Sequence, residues 1–308
     1  MTKHIKENDR LRKIVESFPK LTVTVLADLV ADEFVFGEIS RVSREAPVLI
    51  LKHRDRKVVP GGGANAIYNL ADLGVNVLPV GVVGDDEPGK LLLRAFRHKR
   101  IPVSGVLKDR SYTTVTKTRI LAGFAHTAGQ QVVRLDREPA EDPNSHLGRE
   151  LVLAAREYTR ASDALLVSDY GYGAATPNES EVEEVLGIRI GNDWERLLAA
   201  GDQIAGEMNL ESLLITRGKD GMVAFPRRHK PIDIPIHGSD EVADVTGAGD
   251  TVIATFTAAL AAGATTEEAA HLANYAGGIV VMKRGTATVS QQELLDALDK
   301  TPPVAREH

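Results

Sequence analysis

The chain has 308 residues, 43% of them hydrophobic, and a formal net charge of -6 at pH 7. This length suits one large α/β domain, or one domain with a small appendage. The acidic balance gives no general attraction to nucleic acid or to anionic membranes. The chain has no cysteine, which excludes disulfides, thiolate metal sites and a cysteine nucleophile. Because no secretory signal or membrane span is recognisable, we expect a cytoplasmic protein without nucleic-acid or membrane partners.

The first hundred residues predict alternating helices and strands. Apolar periodicity indicates a helix over residues 1–19 and a buried strand over 21–26 that runs into Asp28. Further along, a glycine-rich turn leads into a helix that ends at Gly74. A strand over residues 75–83 and a helix over 87–100 follow.

Two stretches predict exposed β structure outside this alternation. Residues 34–58 contain short β-prone pieces broken by glycine, proline and charges. Residues 112–137 alternate with a period of two, which is typical of a hairpin. We therefore predict a single domain over residues 1–308, with a small β lid formed by about 34–58 and 112–137.

The second half returns to strands and helices. Strands are predicted over 164–168 and 213–216, and helices from Asp250 and over 266–282. This alternation favours a mostly parallel sheet with helices on both faces, in which ligands bind at the carboxyl ends of the strands.

One connection is too short for this architecture. The segment SDYG ends at Gly171, and the segment TPNESE begins at Thr176. Parallel neighbours need a crossover of about a dozen residues or more. Either the second segment is not a strand, or an element is absent from this chain, and we favour the second interpretation.

The segment from Asp244 to Asp250 (DVTGAGD) places a glycine-rich turn before a long apolar stretch. Backbone N–H groups at the start of a helix lack intrahelical partners and, with the helix dipole, bind anions. Asp250 is placed to take a proton from an attacking hydroxyl, so the pair of features indicates phosphoryl transfer. A capped loop with an ordinary first-turn Asp explains the same residues without any function.

Other polar residues are candidates for a sugar site. The turn Gly61-Gly62-Gly63-Ala64-Asn65 gives close backbone access and a carboxamide suited to hydroxyls, or is simply a glycine turn with an Asn cap. Asp28 and Asp32 follow apolar residues, and are either ligands for hydroxyls or solvated loop acids.

The hairpin and the TPNESE segment add charged and amide groups. A basic lid would suit a phosphorylated sugar, whereas the bland interpretation is a solvated strand face. Its residues are Lys117, Arg119, Gln130, Gln131, Arg134 and Arg137. Asn178 and Glu181 are suited to a hydrated Mg²⁺, or else mark the start of a helix.

The motifs in their order resemble the ribokinase-like (PfkB) family of carbohydrate kinases. They are GGGANAIYNLADLG, TPNESE, ITRGKDGM, DVTGAGDT and NYAGGIVVMKRGTATVS, and the resemblance covers about residues 21 to 295. The segments SREAPV, TKTRI, QQVVRLDRE and GTATVS resemble the heptose-7-phosphate kinase branch of that family. The resemblance implies an α/β ribokinase-like three-layer sandwich.

The resemblance also implies roles for individual residues. Asp250 would be the general base, and Gly247, Ala248 and Gly249 the anion hole. The sugar phosphate would be held by Asp28, Asp32, Gly62, Asn65, Lys117, Arg119, Gln131 and Arg134. Asn178 and Glu181 would organise Mg²⁺ through water. The nucleotide ATP would be flanked by Thr216, Gly218, Asn274 and the turn over residues 283–286, which contains Lys283, Gly285 and Thr286. A homodimer through the lid and a monovalent cation such as K⁺ are further implications.

The chain departs from the branch at several places. Ala27-Asp28 stands where a Gly-Asp pair is usual, and Glu33 stands where a basic residue is usual. We expect this charge reversal to alter which phosphorylated sugar is accepted. The branch also carries a longer segment, with a strand and helices, between SDYG and TPN.

The sequence therefore predicts an ATP-dependent kinase that transfers the γ-phosphoryl group to the anomeric hydroxyl of a sugar phosphate such as a heptose 7-phosphate. One alternative is a PfkB kinase of an unphosphorylated sugar or a nucleoside. Another is a catalytically silent protein that binds sugar or nucleotide and regulates a partner.

Overall fold

The computed structural model describes residues 2–123, 130–139, 145–168, 176–237, 245–283 and 285–300. The helices are α1 Thr2–Ser17, α2 Gly63–Asp72, α3 Glu87–His98, α4 Ser145–Thr159, α5 Glu179–Leu186, α6 Trp194–Glu207, α7 Ala248–Ala261, α8 Thr266–Val281 and α9 Gln291–Lys300. The strands are β1 Thr22–Ala27, β2 Leu29–Val42, β3 Leu49–Gly62, β4 Asn76–Gly84, β5 Val106–Asp109, β6 Thr116–Gly123, β7 Gln130–Arg137, β8 Ala164–Ser168, β9 Ser212–Thr216, β10 Met222–Pro226 and β11 Ile232–Ile234.

A parallel sheet in the order β5-β4-β1-β8 lies at the centre of the fold. Successive side chains of a strand point to opposite faces, and in β1 the consecutive residues Val23, Thr24 and Val25 are all fully buried. Both faces of β1 are therefore covered, and helices α2 and α4 pack against this strand. The fold is an α/β architecture with helical layers around a parallel sheet.

A second sheet, β11-β10-β9, is antiparallel and separate from the first. Among the described residues, no strand pairing joins β8 to β9. Leu165 and Val167 of β8 are 42% and 41% exposed, which is unusual for strand residues of an α/β core. The central layer is therefore interrupted between β8 and β9.

The third sheet, β3-β2-β6-β7, stands apart from the central layer and is mostly exposed. Strands β2 and β3 form a long antiparallel pair, β6 runs parallel to β2, and β7 pairs antiparallel with β6. At one end, Leu29 of β2 pairs with Gly62 of β3, immediately before α2. The sheet is thus anchored to the glycine turn that starts α2.

The buried apolar residues form two clusters. The larger one surrounds the central sheet and extends to α1, α7, α8 and α9. The smaller one is built from α5, α6, β9 and β10, around residues such as Leu197, Leu213 and Phe225. The part of the chain after the interrupted layer therefore has a small core of its own.

The short connection contains no second strand in its described part. Asn178 makes a single-residue parallel bridge to Thr216, and α5 begins directly afterwards. The TPNESE segment is therefore not a strand in this chain, which agrees with the first of the two interpretations of the short connection. Residues 169–175, which include the end of the SDYG segment, lie outside the described residues, as do residues 124–129 of the predicted hairpin and Asp244.

Candidate active site

Helix α7 starts without a side-chain cap. Its N-cap is Gly247, whose φ of 80° lies in the left-handed region that glycine adopts without strain. The Ala248 N–H donates to the Val245 carbonyl at 3.2 Å, whereas Gly249 is exposed. A Cβ added at Gly249 would have no heavy atom within 4 Å outside its own turn, so the helix start faces open space. The dipole of this apolar helix makes that space favourable for an anion.

Asp250 is the third residue of α7 and contacts the carboxamide of Asn65. The Asn65 side chain donates from Nδ2 to Asp250 Oδ2 at 3.1 Å and lies 3.4 Å from the Gly247 carbonyl oxygen. Asn65 is 1% exposed and is itself the third residue of α2. The structure therefore brings together the two motifs that the sequence singled out, although they are 185 positions apart.

Close packing requires glycine on both sides of this contact. A Cβ at Gly247 would lie 2.6 Å from Asn65 Nδ2. A Cβ at Gly63 would lie 2.4 Å from the Ala27 Cβ, at the end of β1. The starts of α2 and α7 can meet beside the carboxyl end of the central sheet only because these positions carry no side chain.

Asp32 is buried and ion-paired. It is 4% exposed, and Arg119 Nη1 donates to its Oδ1 at 2.6 Å. The Thr286 hydroxyl donates to the other oxygen, Oδ2, at 3.1 Å. The backbone of Gly61 packs closely against the Asp32 carboxylate, since a Cβ at Gly61 would lie 2.5 Å from the Asp32 carboxyl carbon. A carboxylate held at both oxygens is fixed in orientation, which suits the recognition of a hydroxyl-bearing ligand.

Strand register places the predicted sugar-binding residues of the third sheet on one face. Directly paired residues share a face, and so do residues two apart on one strand. Asp32 pairs with Lys117, Arg119 with Arg134, and Leu121 with Gln131. Asp32, Lys117, Arg119, Gln131 and Arg134 therefore share one face, on which Arg134 also contacts Asp136 at 3.0 Å.

Glu33 lies on the face opposite Asp32, so it does not share the face of the predicted sugar-binding residues. It accepts from the Thr118 hydroxyl at 2.6 Å and pairs with Arg56, which also contacts Glu87 at 3.0 Å. Partial burial opposes ionisation of Glu33, but hydrogen bonds from Thr118 and Arg56 outweigh it and lower the pKa of the carboxyl. The charge reversal is thus neutralised by neighbours within the sheet.

Asp28 occupies the turn between β1 and β2. Its side chain is exposed, and its backbone N–H donates to the Ser168 carbonyl of β8 at 3.1 Å. Burial, and secondarily the Asp28 carboxylate, raise the pKa of the Tyr112 hydroxyl. Asp28 therefore lies at the carboxyl edge of the central sheet, where ligands of such folds bind.

Asn178 and Glu181 form a capping box at the start of α5. Asn178 Oδ1 accepts from the Glu181 N–H at 3.0 Å, and Glu181 Oε2 accepts from the Asn178 N–H at 2.8 Å. Reciprocal capping of this kind satisfies two helix N–H groups. The Thr216 N–H donates to the Pro177 carbonyl at 3.0 Å, so the end of β9 lies beside this helix start.

The other residues predicted to bind the nucleotide make hydrogen bonds to nearby backbone groups or occupy tight turns. Asn274 on α8 donates to the Pro235 carbonyl at 2.8 Å and accepts from the His237 N–H at 3.3 Å. Lys283 donates to the Thr288 carbonyl and contacts Glu293, both at 2.7 Å. Gly218 and Gly285 have φ of 57° and 73°, so both positions need glycine for their turns.

Two contacts of the site were not predicted. Asn69 accepts a hydrogen bond from the hydroxyl of Thr251, the residue after Asp250, at 3.0 Å. Thr286, which was expected only beside the nucleotide, donates to Asp32. The signal for Asn69 was an Asn four residues after Asn65 in an otherwise apolar helix. No sequence signal distinguishes the partner of Thr286, which is 254 positions away.

The described residues give two further facts about the protein. In this part of the chain, no group of three or more His, Asp or Glu side chains is arranged to hold a metal ion. Every described helix is too short or too polar to cross a bilayer.

Comparison with known proteins identifies relatives of high coverage. The pattern of the pfkB family carbohydrate kinases matches residues 30–168 and 173–293, so its interruption coincides with the short connection after β8. The chain is 36% identical to "Bifunctional protein HldE" of Geobacter sulfurreducens over 328 positions, and 37% identical to that of Geobacter metallireducens. Each alignment covers 93% of this chain but 66% of the relative, so the chain spans less than two thirds of the relatives' length.

Solved structures confirm the predicted ribokinase-like α/β fold. The Arabidopsis thaliana ribokinase complexed with ribose and ATP superposes with a TM-score of 0.69 at 20% identity, covering 91% of this chain and 99% of that one. Phosphofructokinase-2 of Escherichia coli in complex with potassium gives 0.71 at 15% identity, covering 91% and 98%. The fold agrees with the family match, and the chain belongs to the pfkB family of carbohydrate kinases.

Proposed function

We propose that the protein is an ATP-dependent kinase of a sugar phosphate, and that it transfers the γ-phosphoryl group to the anomeric hydroxyl of a heptose 7-phosphate. The observation that carries this proposal is the contact of Asn65 with Asp250 at the uncapped start of α7. It combines a carboxylate, an oriented amide and an open helix start in one place. The similarity to the HldE proteins supports the choice of a heptose phosphate.

The proposed chemistry depends mainly on positioning and electrostatics. Asp250 accepts the proton of the acceptor hydroxyl as its oxygen attacks the γ-phosphorus. Gly247, Ala248 and Gly249 form the turn whose backbone, with the helix dipole, stabilises charge on the transferred group. Asn65 keeps the carboxylate aimed, because its amide donates to the Asp250 oxygen that does not have to accept the hydroxyl proton.

The sugar phosphate would lie between this helix start and the third sheet. Asp32 would accept from a sugar hydroxyl, and Asp28 and Gly62 border the same sheet edge. Lys117, Arg119, Gln131 and Arg134 share the face of Asp32 and present three cations and an amide, with Arg119 ion-paired to Asp32 and Arg134 to Asp136. Such a face favours a substrate that already carries a phosphate over a neutral sugar, because cations bind phosphate through charge-assisted hydrogen bonds. The single domain over 1–308 and the lid role of this sheet belong to the same proposal.

The residues present fit ATP with a hydrated Mg²⁺. Mg²⁺ keeps several waters and needs few protein ligands. Asn178 and Glu181 are exposed, and the capping box engages Oε2 of Glu181 and leaves Oε1 for a water ligand. The ion would neutralise phosphate charge when bound. Thr216, Gly218, Asn274, Lys283 and Gly285 would border the nucleotide, and K⁺ near the α7 turn is a further expectation.

A homodimer through the third sheet is also proposed. On the face opposite Asp32, Val133 and Leu135 of β7 are 51% and 60% exposed. Apolar strand residues at this exposure are typical of a surface that a partner covers. A cytoplasmic location remains a prediction from the sequence.

The decisive experiment is a kinase assay across phosphorylated and neutral sugars, with the position of the new phosphate determined by phosphorus NMR. We expect turnover with a heptose 7-phosphate and a new phosphate on the anomeric oxygen. Turnover of neutral sugars alone would favour the first alternative and reject the sugar-phosphate assignment.

One observation favours the alternative of a silent binding protein. The central layer is interrupted between β8 and β9, and the family match is interrupted after residue 168, at the end of β8. Tight binding of a sugar phosphate without turnover of any acceptor in the same panel would select this alternative.

A further inference from the structure

Asn69 is a fully buried polar residue in the middle of α2. It is 0% exposed and lies one helical turn after Asn65, on the same face of the helix. Burying a carboxamide is unfavourable unless its groups are hydrogen-bonded, so its partners indicate why it is there.

All polar atoms of the Asn69 side chain have partners. Its Nδ2 donates to the Asn65 carbonyl at 3.0 Å and lies 3.4 Å from Asn65 Oδ1. Its Oδ1 accepts from the Thr251 hydroxyl at 3.0 Å and from the Val289 N–H at 3.3 Å. The amide therefore joins α2 to the first turn of α7 and to the segment after the Lys283 turn.

The chemistry of these partners fixes which way each amide points. The Val289 N–H can only donate, so it requires Oδ1 of Asn69, and the Asn65 carbonyl can only accept, so it requires Nδ2. Asn69 Nδ2 then faces Asn65 Oδ1, which turns Nδ2 of Asn65 toward Asp250 Oδ2 and the Gly247 carbonyl. The orientation of the Asn69 amide therefore fixes the orientation of the Asn65 amide.

We propose that Asn69 is a positioning residue for phosphoryl transfer, which orients the Asn65 amide on Asp250 and holds the start of α7 through Thr251. This inference rests on the proposed function, in which Asp250 is the general base. Thr251 follows Asp250 directly, so a hydrogen bond to its hydroxyl restrains the same helical turn. Asn69 is too deeply buried to touch a substrate, and it acts only through its neighbours.

Isosteric variants separate positioning from stability. Asn69→Asp keeps the volume and both accepted hydrogen bonds but places a carboxylate oxygen against the Asn65 carbonyl. Thr251→Val removes the hydroxyl that lies 3.0 Å from Asn69 Oδ1 and 3.2 Å from the Gly247 carbonyl oxygen. Thr255→Val is the matched control, because Thr255 is also fully buried on α7 and its hydroxyl has no hydrogen-bond partner among the described residues.

We expect kcat to fall about 10- to 100-fold in Asn69→Asp and less in Thr251→Val, with the KM for ATP nearly unchanged. Loss of the Asn65 donor also disfavours the ionised base, so the acid limb of the kcat profile should move to higher pH. Thr255→Val should keep the kcat and pH profile of the unmodified protein. A lower melting temperature with unchanged kcat and pH profile in Asn69→Asp and Thr251→Val would overturn the proposal.

The same experiment distinguishes failure of the proposed function. If the unmodified protein phosphorylates no sugar in the panel, the kinase assignment is rejected on that result alone. Crystal structures of the unmodified protein and Asn69→Asp then decide the geometric part. We expect the distance from Asn65 Nδ2 to Asp250 Oδ2 to lengthen beyond 3.5 Å in the variant, and an unchanged 3.1 Å contact would contradict us.

Discussion

Helices α5 and α7 start in opposite ways. Helix α5 is closed by a capping box in which Asn178 and Glu181 satisfy each other's backbone N–H groups. Helix α7 has Gly247 at the same position and no side-chain cap, and its third residue, Asp250, is contacted by Asn65 from another helix. A helix start that supplies its own cap is complete without a ligand. A helix start without one keeps backbone donors available to an anion.

The two starts also differ in the range of their contacts. The cap of α5 spans three positions, whereas the contacts of α7 with Asn65 and Asn69 span 185 and 182. Local contacts stabilise one element, but long-range contacts fix one element relative to another. The comparison predicts that changes at α7 will affect turnover, and that changes at α5 will affect stability and the Mg²⁺ requirement.

The largest expected effect comes from the third residue of α7. Asp250→Asn should reduce kcat by about 10²- to 10⁴-fold, because the amide cannot accept the hydroxyl proton. Nucleotide affinity, measured by titration calorimetry, should change little. Glu268→Gln is the matched control, since Glu268 is the third residue of α8, a Gln at this position preserves the capping box with Thr265, and it should keep kcat. Equal turnover in the two variants would remove the distinction between the helix starts.

A smaller effect is expected from the N-cap of α7. Gly247→Ala puts a Cβ 2.6 Å from Asn65 Nδ2, so we expect a loss of kcat of about tenfold or more, measured in steady-state assays. The left-handed backbone alone would cost about 1–2 kcal/mol of stability. Gly263→Ala, at the other end of α7, has nearly the same φ (82°) and nothing within 4 Å. The Gly263→Ala variant should be destabilised to a similar extent but retain kcat. A similar loss of kcat in this variant would show that backbone strain, and not the contact with Asn65, lowers the kcat of Gly247→Ala.

The next effect concerns the two faces of the third sheet. Arg119→Met should raise the KM for the sugar phosphate about tenfold, because it removes a cation and, among the described residues, leaves the Asp32 carboxylate with the Thr286 hydroxyl. Arg56→Met is the control on the opposite face, where Glu33 keeps its hydrogen bond from Thr118. If both variants raised the KM equally, substrate recognition would not be confined to the Asp32 face.

The smallest effect is expected at the cap of α5. Asn178→Ala should lower the free energy of unfolding by about 1 kcal/mol in urea titrations. Thr265→Ala removes the cap of the equivalent box on α8, with Glu268 as the reciprocal partner, and should cost about the same. A rise in the Mg²⁺ requirement of Asn178→Ala alone would show that Asn178 also serves the metal. An identical Mg²⁺ requirement in both variants would show that Asn178 serves only as a helix cap.

Sequence patterns predicted some elements almost to the residue. The strand over 164–168 matches β8, and the helix predicted over 266–282 differs from α8 by one residue. The helices α4 and α6 and the short β11 were missed, although both helices are amphipathic. The predicted short β pieces of residues 34–58 are two long strands, because their pairing with each other stabilises an extended chain that local propensity leaves ambiguous.

The sequence by itself determined the family and the glycine turns, and it singled out Asp250 as the candidate base, because these depend on residue type and order along the chain. Tertiary structure decided which side chains meet. Neighbouring residues of a strand face opposite ways, and only the register of β2 with β6 places Asp32, and not Glu33, on the face of Lys117 and Arg119. Only the packing of α2 against α7 brings Asn65 and Asn69 to Asp250 and Thr251. Contacts across more than 180 positions arise from the fold as a whole, and no local pattern encodes them.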